Sequence, residues 1–537
     1  MRKFDTLIIG SGLGGLECAY ILAKHGQRVC VVEKNHSLGG CLQSFKRGDN
    51  EYDTGFHYIG GLGKGQILHN LFSYFNLMDL PWHQLDTDCY NEVILKDKSY
   101  LFANGYENFA RRLEEYFPGE RPALERYAFF LKSVGEEITG PLMSHEENAE
   151  FRAKLFSDSA YGFLHETIKN ETLLNVLSGD SLKLELHRDT LPLYIFAQIN
   201  SSFVQSAWRL CGRGSMIADS LAAEIRKMGG EIIVDSPAVQ LIEKEGKICE
   251  IEISHAKNVT ANNAAAVNNG TAVNNNSAET ERIAADNFIS DLHPEITLDL
   301  IKDSHLVRPV FRHRIKNLGE TYGMFTVNLA LKHGRIPYRN RNVYYYSPQV
   351  SSPWDIAENL EGKVRGVLIS YQVPHNYHDS SLSHKGTAPD CAYADIIDLL
   401  APMSFAEVEK WKDTTVGRRG EDYKELKRKK AQECIELAER CIPGLKDSIL
   451  SICTSSPLTY MNYTGTVEGA AYGIRKDCNN LLGTILAPKT PVPNLFFTGQ
   501  NLNLHGILGV SITSFLTCSE LIGLKDATEG LDLKLNI

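Results

Sequence analysis

Residues 4–35 constrain the fold of this chain more than any other stretch. They read FDTLIIGSGLGGLECAYILAKHGQRVCVVEKN, beginning with a short apolar run at residues 7–9 that is typical of a buried strand. Glycines follow in the spacing Gly-x-Gly-x-x-Gly, and apolar residues then recur at helical spacing as far as Gly26. A second apolar run ends at Glu33. This order of strand, glycine turn, helix and strand predicts an α/β protein with a Rossmann-type domain.

Each conspicuous residue of this motif has a physical task. Gly10 allows a tight turn, Gly12 lets the backbone approach a pyrophosphate, and Gly15 permits close packing of the helix on the strand. The helix N-terminus offers free N–H groups and positive dipole to phosphate oxygens. Glu33 can accept hydrogen bonds from both hydroxyls of a ribose and disfavours a 2′-phosphate. We therefore predict a site for an unphosphorylated adenosine, which FAD and NAD share.

Two further features favour FAD. The doublet Gly39-Gly40 lets a second loop pass close to the cofactor. Near the other end, NLFFTGQNLNLHGILGVSITSFLTCSELIGL predicts a strand at 495–497, a turn at Gly499, and a helix from about Gly509 with Ser and Thr in its first turns. FAD is long enough to need such a second segment. The N-terminus of that helix would stabilise the negative charge of a reduced flavin.

The source of electrons stays open at this point. No second Gly-x-Gly-x-x-Gly follows a strand and begins a helix, so we expect no separate nicotinamide domain. Electrons then come from the substrate, from NADH or NADPH docking directly at the flavin, or from a partner protein.

Composition narrows the partners and the compartment. At 537 residues, two or more domains are expected. The formal net charge of −10 argues against nucleic acid as the main partner. The 12 cysteines form no CxxC pair and no Cys/His metal spacing, so no metal site and reduced thiols are expected. Without a signal peptide or an 18-residue apolar run, we expect a cytoplasmic protein without a transmembrane helix, with peripheral membrane contact left open. Nothing in the sequence indicates an oligomeric state.

Four stretches together resemble a known family. They are the N-terminal motif, DTGFHYIGG at 53–61, SPLTYMNYTGTVEGAAYG at 456–473 and LFFTGQ at 495–500. In these stretches the chain resembles the phytoene desaturase-like FAD oxidoreductases, and among them the retinol saturases and carotenoid isomerases. The resemblance implies FAD as cofactor. It also implies a reaction at a C=C bond of a long apolar polyene or isoprenoid substrate.

The resemblance also implies the cofactor-binding residues. Gly212, Gly214 and Ser215 match a second FAD segment, WRLCGRGSMIADSLAAEIRKMGGEI, and Val239 matches a position whose backbone meets the adenine. Gln500 departs from the family, since many relatives carry an acid there for the ribityl hydroxyls, although glutamine can still form hydrogen bonds. The implied set is Gly10, Ser11, Gly12, Gly14, Gly15, Glu33, Lys34, Gly39, Gly40, Asp53, Thr54, Gly55, Gly212, Gly214, Ser215, Val239, Gly499, Gln500, Gly509 and Val510.

His57 and Tyr58 are the candidate catalytic residues. In such folds the loop after the glycine doublet runs beneath the flavin, so both side chains are expected at the reacting centre. The flavin exchanges a hydride with one carbon of the double bond, and either side chain could exchange a proton with the other carbon. The structural alternatives are a histidine bonded to a neighbouring carbonyl and a tyrosine that only packs.

The family likeness also predicts interleaved domains. Residues 1–75, 205–300 and 485–537 would form the FAD-binding domain, and 76–204 with 301–484 an α+β substrate domain. Residues 257–280, rich in Asn and Ala, are expected to form a flexible surface insertion.

Several stretches and reactions keep more than one interpretation. The apolar stretches at 67–80 and 191–208 could each form core or the wall of a substrate tunnel. The stretch at 67–80 could also form a helix that dips into a membrane. The basic stretch at 424–430 could form a solvated helix face or a contact with lipid. Reduction of the polyene is the first hypothesis. Desaturation and redox-neutral cis/trans isomerisation are the main alternatives, and an amine oxidase or a non-enzymatic prenyl-lipid escort protein are the others.

Overall fold

The computed structural model describes residues 1–138, 149–255, 279–301, 304–374 and 392–533. The Asn/Ala-rich stretch predicted at 257–280 lies outside the described residues, except for its last two, which begin a strand. That strand and the one before it are antiparallel neighbours, so the stretch connects the two arms of a hairpin.

Nineteen strands are found in the described residues. They are β1 (Lys3–Ile9), β2 (Val29–Val32), β3 (Ser44–Arg47), β4 (Asn50–Asp53), β5 (Ile59–Gly60), β6 (Trp82–Gln84), β7 (Asn91–Leu95), β8 (Lys98–Phe102), β9 (Ala207–Leu210), β10 (Glu231–Ile233), β11 (Ala238–Lys244), β12 (Lys247–His255), β13 (Glu279–Ser290), β14 (Gly323–Leu331), β15 (Asn342–Tyr346), β16 (Gly366–Tyr371), β17 (Ile396–Met403), β18 (Ile449–Ser455) and β19 (Leu495–Phe497).

The α-helices of the same residues are numbered in chain order. They are α1 (Leu13–Lys24), α2 (Ile67–Tyr74), α3 (Tyr106–Glu114), α4 (Arg121–Glu137), α5 (Ala149–Ser157), α6 (Ala160–Thr167), α7 (Glu171–Leu177), α8 (Leu193–Gln205), α9 (Ser215–Lys227), α10 (Pro294–Asp299), α11 (Pro309–Lys316), α12 (Asp355–Glu358), α13 (Glu421–Cys441), α14 (Leu445–Ser448), α15 (Pro457–Thr464), α16 (Leu481–Thr484), α17 (Gly506–Ile522) and α18 (Leu524–Ala527).

The first large sheet has the strand order β10-β2-β1-β13-β12-β11, with β19 also beside β13. Its central strands β2, β1, β13 and β19 run parallel. Both faces are covered, as parallel sheets require. Ile8 of β1 faces the core formed with α1, α9 and α17, whereas its neighbours Leu7 and Ile9 face the core formed with α10 and α11. The Rossmann-type α/β arrangement predicted from the N-terminal motif is therefore confirmed.

The second large sheet has the order β18-β14-β17-β16-β15-β7-β8 and is antiparallel except for β15 beside β7. One face packs against α13 through residues such as Val343 and Leu399. The opposite face, with Tyr344, Leu368 and Leu400, packs against α8. Successive residues of a strand point to opposite faces, so each strand contributes alternately to the two cores.

A line of polar side chains crosses the second sheet on the face that carries Tyr344. Cross-strand partners in this line include Asn91 with Asn342, and Asp398 with both Ser370 and Asn328. All five side chains are at most 2% exposed. We call these five residues the polar row.

The helices of the two apolar stretches at 67–80 and 191–208 lie in the core. Ile67, Leu71 and Phe72 of α2 pack with residues of α1 and α17, and α8 lies in the core beneath the second sheet. None of the described helices is both long and apolar enough to cross a membrane.

The basic stretch at 424–430 lies on α13 and is partly turned inward. Lys430 is buried and pairs with Glu407 at 2.7 Å, and the Lys427 ammonium donates to the carbonyl of Thr454. These contacts favour a helix face bound to the protein itself.

The C-terminal helix begins earlier than expected. The sequence predicted its start at about Gly509, but α17 begins at Gly506 with His505 as its N-cap. Ile507 and Leu508 pack against the core formed with α1, α9 and α17, and this packing stabilises the additional residues as helix. Ser511 and Ser514 consequently lie beyond the first turn.

Candidate cofactor and active site

The glycine turn between β1 and α1 has the geometry of a phosphate cradle. Gly10 has φ +95°, a conformation that favours glycine. A side chain at Gly15 would collide with the carbonyl of Gly10, so only glycine lets α1 pack this closely on the turn. Gly12 is the N-cap of α1 and has no side chain to cap the N–H groups of the first turn.

The glycine doublet closes against this turn. Gly39 forms a bridge to Gly12, and its N–H donates to the carbonyl of Ser11 at 2.9 Å. A Cβ at Gly40 would lie 3.3 Å from the Cα of Gly12. The two backbones therefore touch, which brings the doublet to the edge of the cradle; its approach to a cofactor stays a prediction.

Glu33 lies at the end of β2 with a buried carboxylate. Its Oε2 accepts from the N–H of Ser11 at 2.9 Å and from the Ser11 hydroxyl at 2.7 Å, while Oε1 accepts from the N–H of Asn35 at 2.8 Å. These donors fix the carboxylate beside the cradle and leave lone pairs for further donors.

Val239 is the second residue of β11, and the segment before this strand contacts Glu33. The N–H of Ser236 donates to the Glu33 carbonyl at 2.9 Å. The pairing of β11 with β12 shifts register between Ala238 and Gln240, and the Val239 side chain is 47% exposed. The backbone around Val239 is thus irregular at the position where the family likeness implies an adenine contact.

Asp291, which the sequence analysis did not select, reaches into the cradle. It directly follows β13, and its N–H donates to the carbonyl of Ile9 at 2.9 Å. Its carboxylate lies against Gly12 and Gly499, and a Cβ at Gly14 would come within 2.8 Å of Oδ1. The signal was available, because an acid directly after an apolar strand lies at the carboxyl edge of a parallel sheet, where ligands bind.

The Asp291 carboxylate tests what the cradle accepts. It receives a hydrogen bond from the N–H of Gly15, and burial raises its pKa to about 7. Side chains at Gly12 and Gly14 would collide with an oxygen at the N-terminus of α1, so these glycines give the close backbone approach that a pyrophosphate requires. The residues present therefore fit the ADP half of FAD.

The second predicted FAD segment is tied to the loop before His57. The Asp53 carboxylate accepts from the N–H of Gly214 at 2.7 Å, and burial raises the pKa of Asp53 to about 7. The hydroxyls of Ser44 and Ser215 are 3.1 Å apart. Asp53 therefore positions the loop at 212–215.

Helix α15, part of the SPLTYMNYTG motif, covers the predicted cofactor loops. The Tyr460 hydroxyl donates to the Thr54 carbonyl at 3.2 Å, and the Lys34 ammonium donates to the carbonyl of Asn462 at 3.1 Å. Gly55 lies against the carbonyl of Cys41. Lys34 thus binds the C-terminal end of α15.

The remaining predicted positions lie after β19. Gly499 has φ +89°, Gln500 is half-buried beside Gly473, and Gly509 packs on the carbonyl of Leu504. Val510 is buried in α17. Gly499 shares the cradle with Asp291, which brings the C-terminal segment to the N-terminal motif.

A cleft lies before the N-terminus of α17, lined by Tyr472, Lys476 and His505 among others. The Lys476 ammonium donates to the carbonyl of Asn501 at 2.7 Å, and burial lowers its pKa to about 7. The rings of His505 and Tyr472 have centroids 4.7 Å apart, and burial lowers the pKa of His505 to about 4. This cleft joins the end of the stretch at 456–473, which carries part of the family resemblance, to the predicted flavin segment.

His57 and Tyr58 have different surroundings. His57 lines a second cleft, together with Arg209 and Asp398, with its Nδ1 3.7 Å from Asp398 Oδ2. Neither ring nitrogen has a hydrogen-bond partner in the described chain, so the expected alternative of a histidine bonded to a carbonyl is not what the structure has. Burial lowers the pKa of His57.

Tyr58 belongs to a buried hydrogen-bond network. Its hydroxyl is 2.5 Å from that of Tyr344 and accepts from the Asn91 amide at 3.3 Å. Its ring packs on Phe203 with centroids 4.5 Å apart. Burial raises the pKa of Tyr58, so the phenol stays protonated.

Metal ligands do not converge in the part of the chain that the structure describes: no three His, Cys, Asp or Glu side chains are grouped to hold an ion.

Comparisons with known proteins identify a family model and several proteins that this chain resembles. A family model described as an NAD(P)-binding Rossmann-like domain matches residues 8–75. An all-trans-retinol 13,14-reductase of Danio rerio is 26% identical over 97% of this chain and 86% of its own length. Prolycopene isomerase 1 of an Oncidium hybrid cultivar is 22% identical over 99% of this chain and 87% of its own.

A solved structure shares the whole fold. An oxidoreductase of Methanosarcina mazei matches with a TM-score of 0.56 and 16% identity, over 96% of this chain and 99% of its own. The likeness inferred from four short motifs is confirmed: along nearly its whole length the chain is similar to all-trans-retinol 13,14-reductases and prolycopene isomerases.

Proposed function

We propose that this protein is an FAD-dependent oxidoreductase that acts on a C=C bond of a long apolar polyene, reducing it as its retinol reductase relatives are named for doing. The observation that carries the proposal is the glycine cradle at the N-terminus of α1, with the fixed carboxylate of Glu33 beside it. The first sheet with its helices would be the FAD-binding domain and the second sheet the substrate domain. A polyene dissolves in lipid, so contact with a membrane surface belongs to the same proposal.

In this proposal the cofactor supplies two-electron hydride chemistry, and the chain binds, orients and protonates. Thr54, Gly55 and Gly499 offer backbone along the extended cofactor, and the N-terminus of α17 offers positive dipole. Tyr58 keeps its proton because burial raises its pKa, and in this proposal it donates that proton to a substrate carbon. His57 is neutral near pH 7 because burial lowers its pKa, and either ring nitrogen is free to carry a proton.

The first test is anaerobic mixing of the purified flavoprotein with NADH and then NADPH, followed by flavin absorbance. We expect bleaching, and then reoxidation by a polyene, with all-trans-retinol and all-trans-retinoic acid both tried and a product two hydrogens heavier. Bleaching by a polyene without nicotinamide would instead indicate desaturation, and a product of unchanged mass would indicate isomerisation. Bleaching by amines alone, or a colourless protein without releasable FAD, would overturn the proposal.

The second test separates the two candidate proton donors. Tyr58→Phe removes only the hydroxyl, and we expect polyene reduction to slow roughly 100-fold because general acid catalysis contributes about that much. Reduction of the flavin by nicotinamide should not change. Tyr346→Phe is the matched control, since its buried hydroxyl bonds only to the carbonyl of Gly179 among the described residues. Loss of activity in His57→Ala but not in Tyr58→Phe would move the role to His57.

A further inference from the structure

Arg209 is a buried cation. It lies on β9 and is 2% exposed. Its Nη2 donates to Asn342 Oδ1 at 2.5 Å and to the carbonyl of Arg341 at 3.3 Å, and the hydroxyl of Tyr338 lies nearby. Nε and Nη1 have no hydrogen-bond partner in the described residues. A buried charge of this kind is costly unless a ligand satisfies it.

Arg209 lines the cleft that contains His57. Nonpolar side chains such as Phe56 and Val373 form part of the wall, and Gln372 and Asp398 form another part. Both ring nitrogens of His57 are unpartnered in the described chain, so two adjacent side chains offer unused hydrogen-bonding groups to the same space.

Two acids, Asp398 and Asp53, also line this cleft, and both accept hydrogen bonds from the chain. Asp398 accepts from the amides of Asn328 at 2.7 Å and Gln372 at 3.1 Å. Asp53 accepts from the N–H of Gly214, and burial raises its pKa to about 7. Arg209 is the one permanent cation among the residues described as lining the cleft, and its Nε and Nη1 offer N–H groups to an acceptor from outside the chain.

The cleft is connected to the proposed reacting centre. Arg209 donates to Asn342, whose amide donates to Asn91 Oδ1 at 2.9 Å, and the Asn91 amide donates to the hydroxyl of Tyr58 at 3.3 Å. Asn342 and Asn91 belong to the polar row. On β16 and β17, two residues away from Ser370 and Asp398 of the polar row, the same face carries the apolar side chains of Leu368 and Leu400. A long apolar molecule with one polar end matches this division of the sheet.

We propose that the cleft at Arg209 and His57 binds a carboxylate at the end of the apolar substrate, so that the substrate is a polyenoic acid. This inference rests on the proposed function for the polyene, but the carboxylate site is carried by Arg209. A guanidinium is the side chain best suited to a carboxylate, because it stays charged and presents several N–H donors in one plane. An alcohol or hydrocarbon end would leave the buried charge unpaired.

The test compares two molecules with the same polyene chain, all-trans-retinoic acid and all-trans-retinol. Binding to the FAD-loaded protein is followed at pH 7.5 by the change in flavin absorbance and in tryptophan fluorescence, without nicotinamide. The acid should bind at least tenfold more tightly than the alcohol. Arg209→Met should remove this preference, weakening the acid at least tenfold and the alcohol less than twofold.

Two further variants keep the test decisive if Arg209→Met fails to fold. Arg209→Lys keeps the charge but not the planar donors, so an intermediate preference is expected. Asn342→Asp leaves Arg209 in place and gives it an internal counter-ion, so the acid alone should bind more weakly. Equal binding of acid and alcohol by the unaltered protein, no binding of either, or a preference that survives in both Arg209→Met and Asn342→Asp would overturn the proposal. A selective acid site in a protein that never reduces the polyene would instead refute only the proposed reaction.

Discussion

At the scale of single residues, Asp291 competes with the cofactor for the same donors. Its carboxylate lies in the cradle and accepts from the N–H of Gly15, at the end of α1 where a pyrophosphate would bind. Two anions cannot share one set of N–H groups without repulsion. FAD must therefore meet a neutral or displaced Asp291 carboxyl group.

This competition predicts a pH-dependent affinity for FAD. Burial raises the pKa of Asp291 to about 7, so its carboxyl group is neutral below pH 7 and gains charge above it. FAD should bind the apoprotein more tightly at pH 6 than at pH 8. Asp291→Asn is neutral throughout and should bind about tenfold more tightly than the unaltered protein at pH 8, with little change in affinity between pH 6 and 8. Quenching of flavin fluorescence measures both affinities; a variant that no longer binds FAD would contradict the argument.

The residues of the cradle show what a sequence can and cannot predict. Gly10, Gly15 and Glu33 were recognised because their tasks depend on local backbone and fixed spacing. Asp291 and Arg209 were missed because their significance arises only when strands distant in sequence pair. A single acid or arginine carries no local pattern, and its missing partners are visible only in three dimensions.

At the scale of elements, α1 and α17 are joined by a buried polar contact. Glu17 of α1 is completely buried and accepts from the hydroxyl of Ser511 at 2.6 Å and of Ser514 at 3.0 Å on α17. Burial raises the pKa of Glu17 to about 8, so the carboxyl group is neutral at pH 7 in the folded protein. The sequence predicted both helices but not this contact, because hydrophobic periodicity does not report which faces of two helices meet.

The contact makes stability depend on pH in a defined direction. The pKa of Glu17 in the folded protein is above its unfolded value of 4.5, so its contribution is complete below pH 4.5 and is lost as pH rises through about 8. The melting temperature should fall between pH 5.5 and 8.5. Glu17→Gln should flatten this fall by an amount equivalent to about 2 kcal/mol, whereas the exposed Glu107→Gln should leave it unchanged. Calorimetry on both variants measures the melting temperature at each pH. If the melting temperature of Glu17→Gln fell with pH as steeply as that of the unaltered protein, the neutral carboxyl group would be refuted.

At the scale of the whole molecule, the cofactor site is built from distant parts of the chain. Parallel pairing of β1 with β13 and of β13 with β19 brings Gly12, Asp291 and Gly499 together at one edge of the first sheet. The family likeness predicted this interleaving, but residue patterns alone did not, because strand order depends on long-range pairing. The division into two domains remains a prediction.

An interleaved site predicts that FAD stabilises the chain as a whole. A ligand held by its first and last segments resists unfolding of both, and at a free concentration of 100 times its Kd it adds about 2.7 kcal/mol. FAD should therefore raise the melting temperature of the stripped protein by several degrees. Gly12→Val should abolish the rise, because a side chain there would occupy the space that Asp291 or a pyrophosphate needs. Gly319→Val is the control and should respond like the unaltered protein, because a Cβ at Gly319 would meet only the end of the Arg475 side chain, at 4.0 Å. Because the readout is the change on adding FAD, a general loss of stability in Gly12→Val cannot imitate the result, and a full rise in that variant would place the cofactor elsewhere.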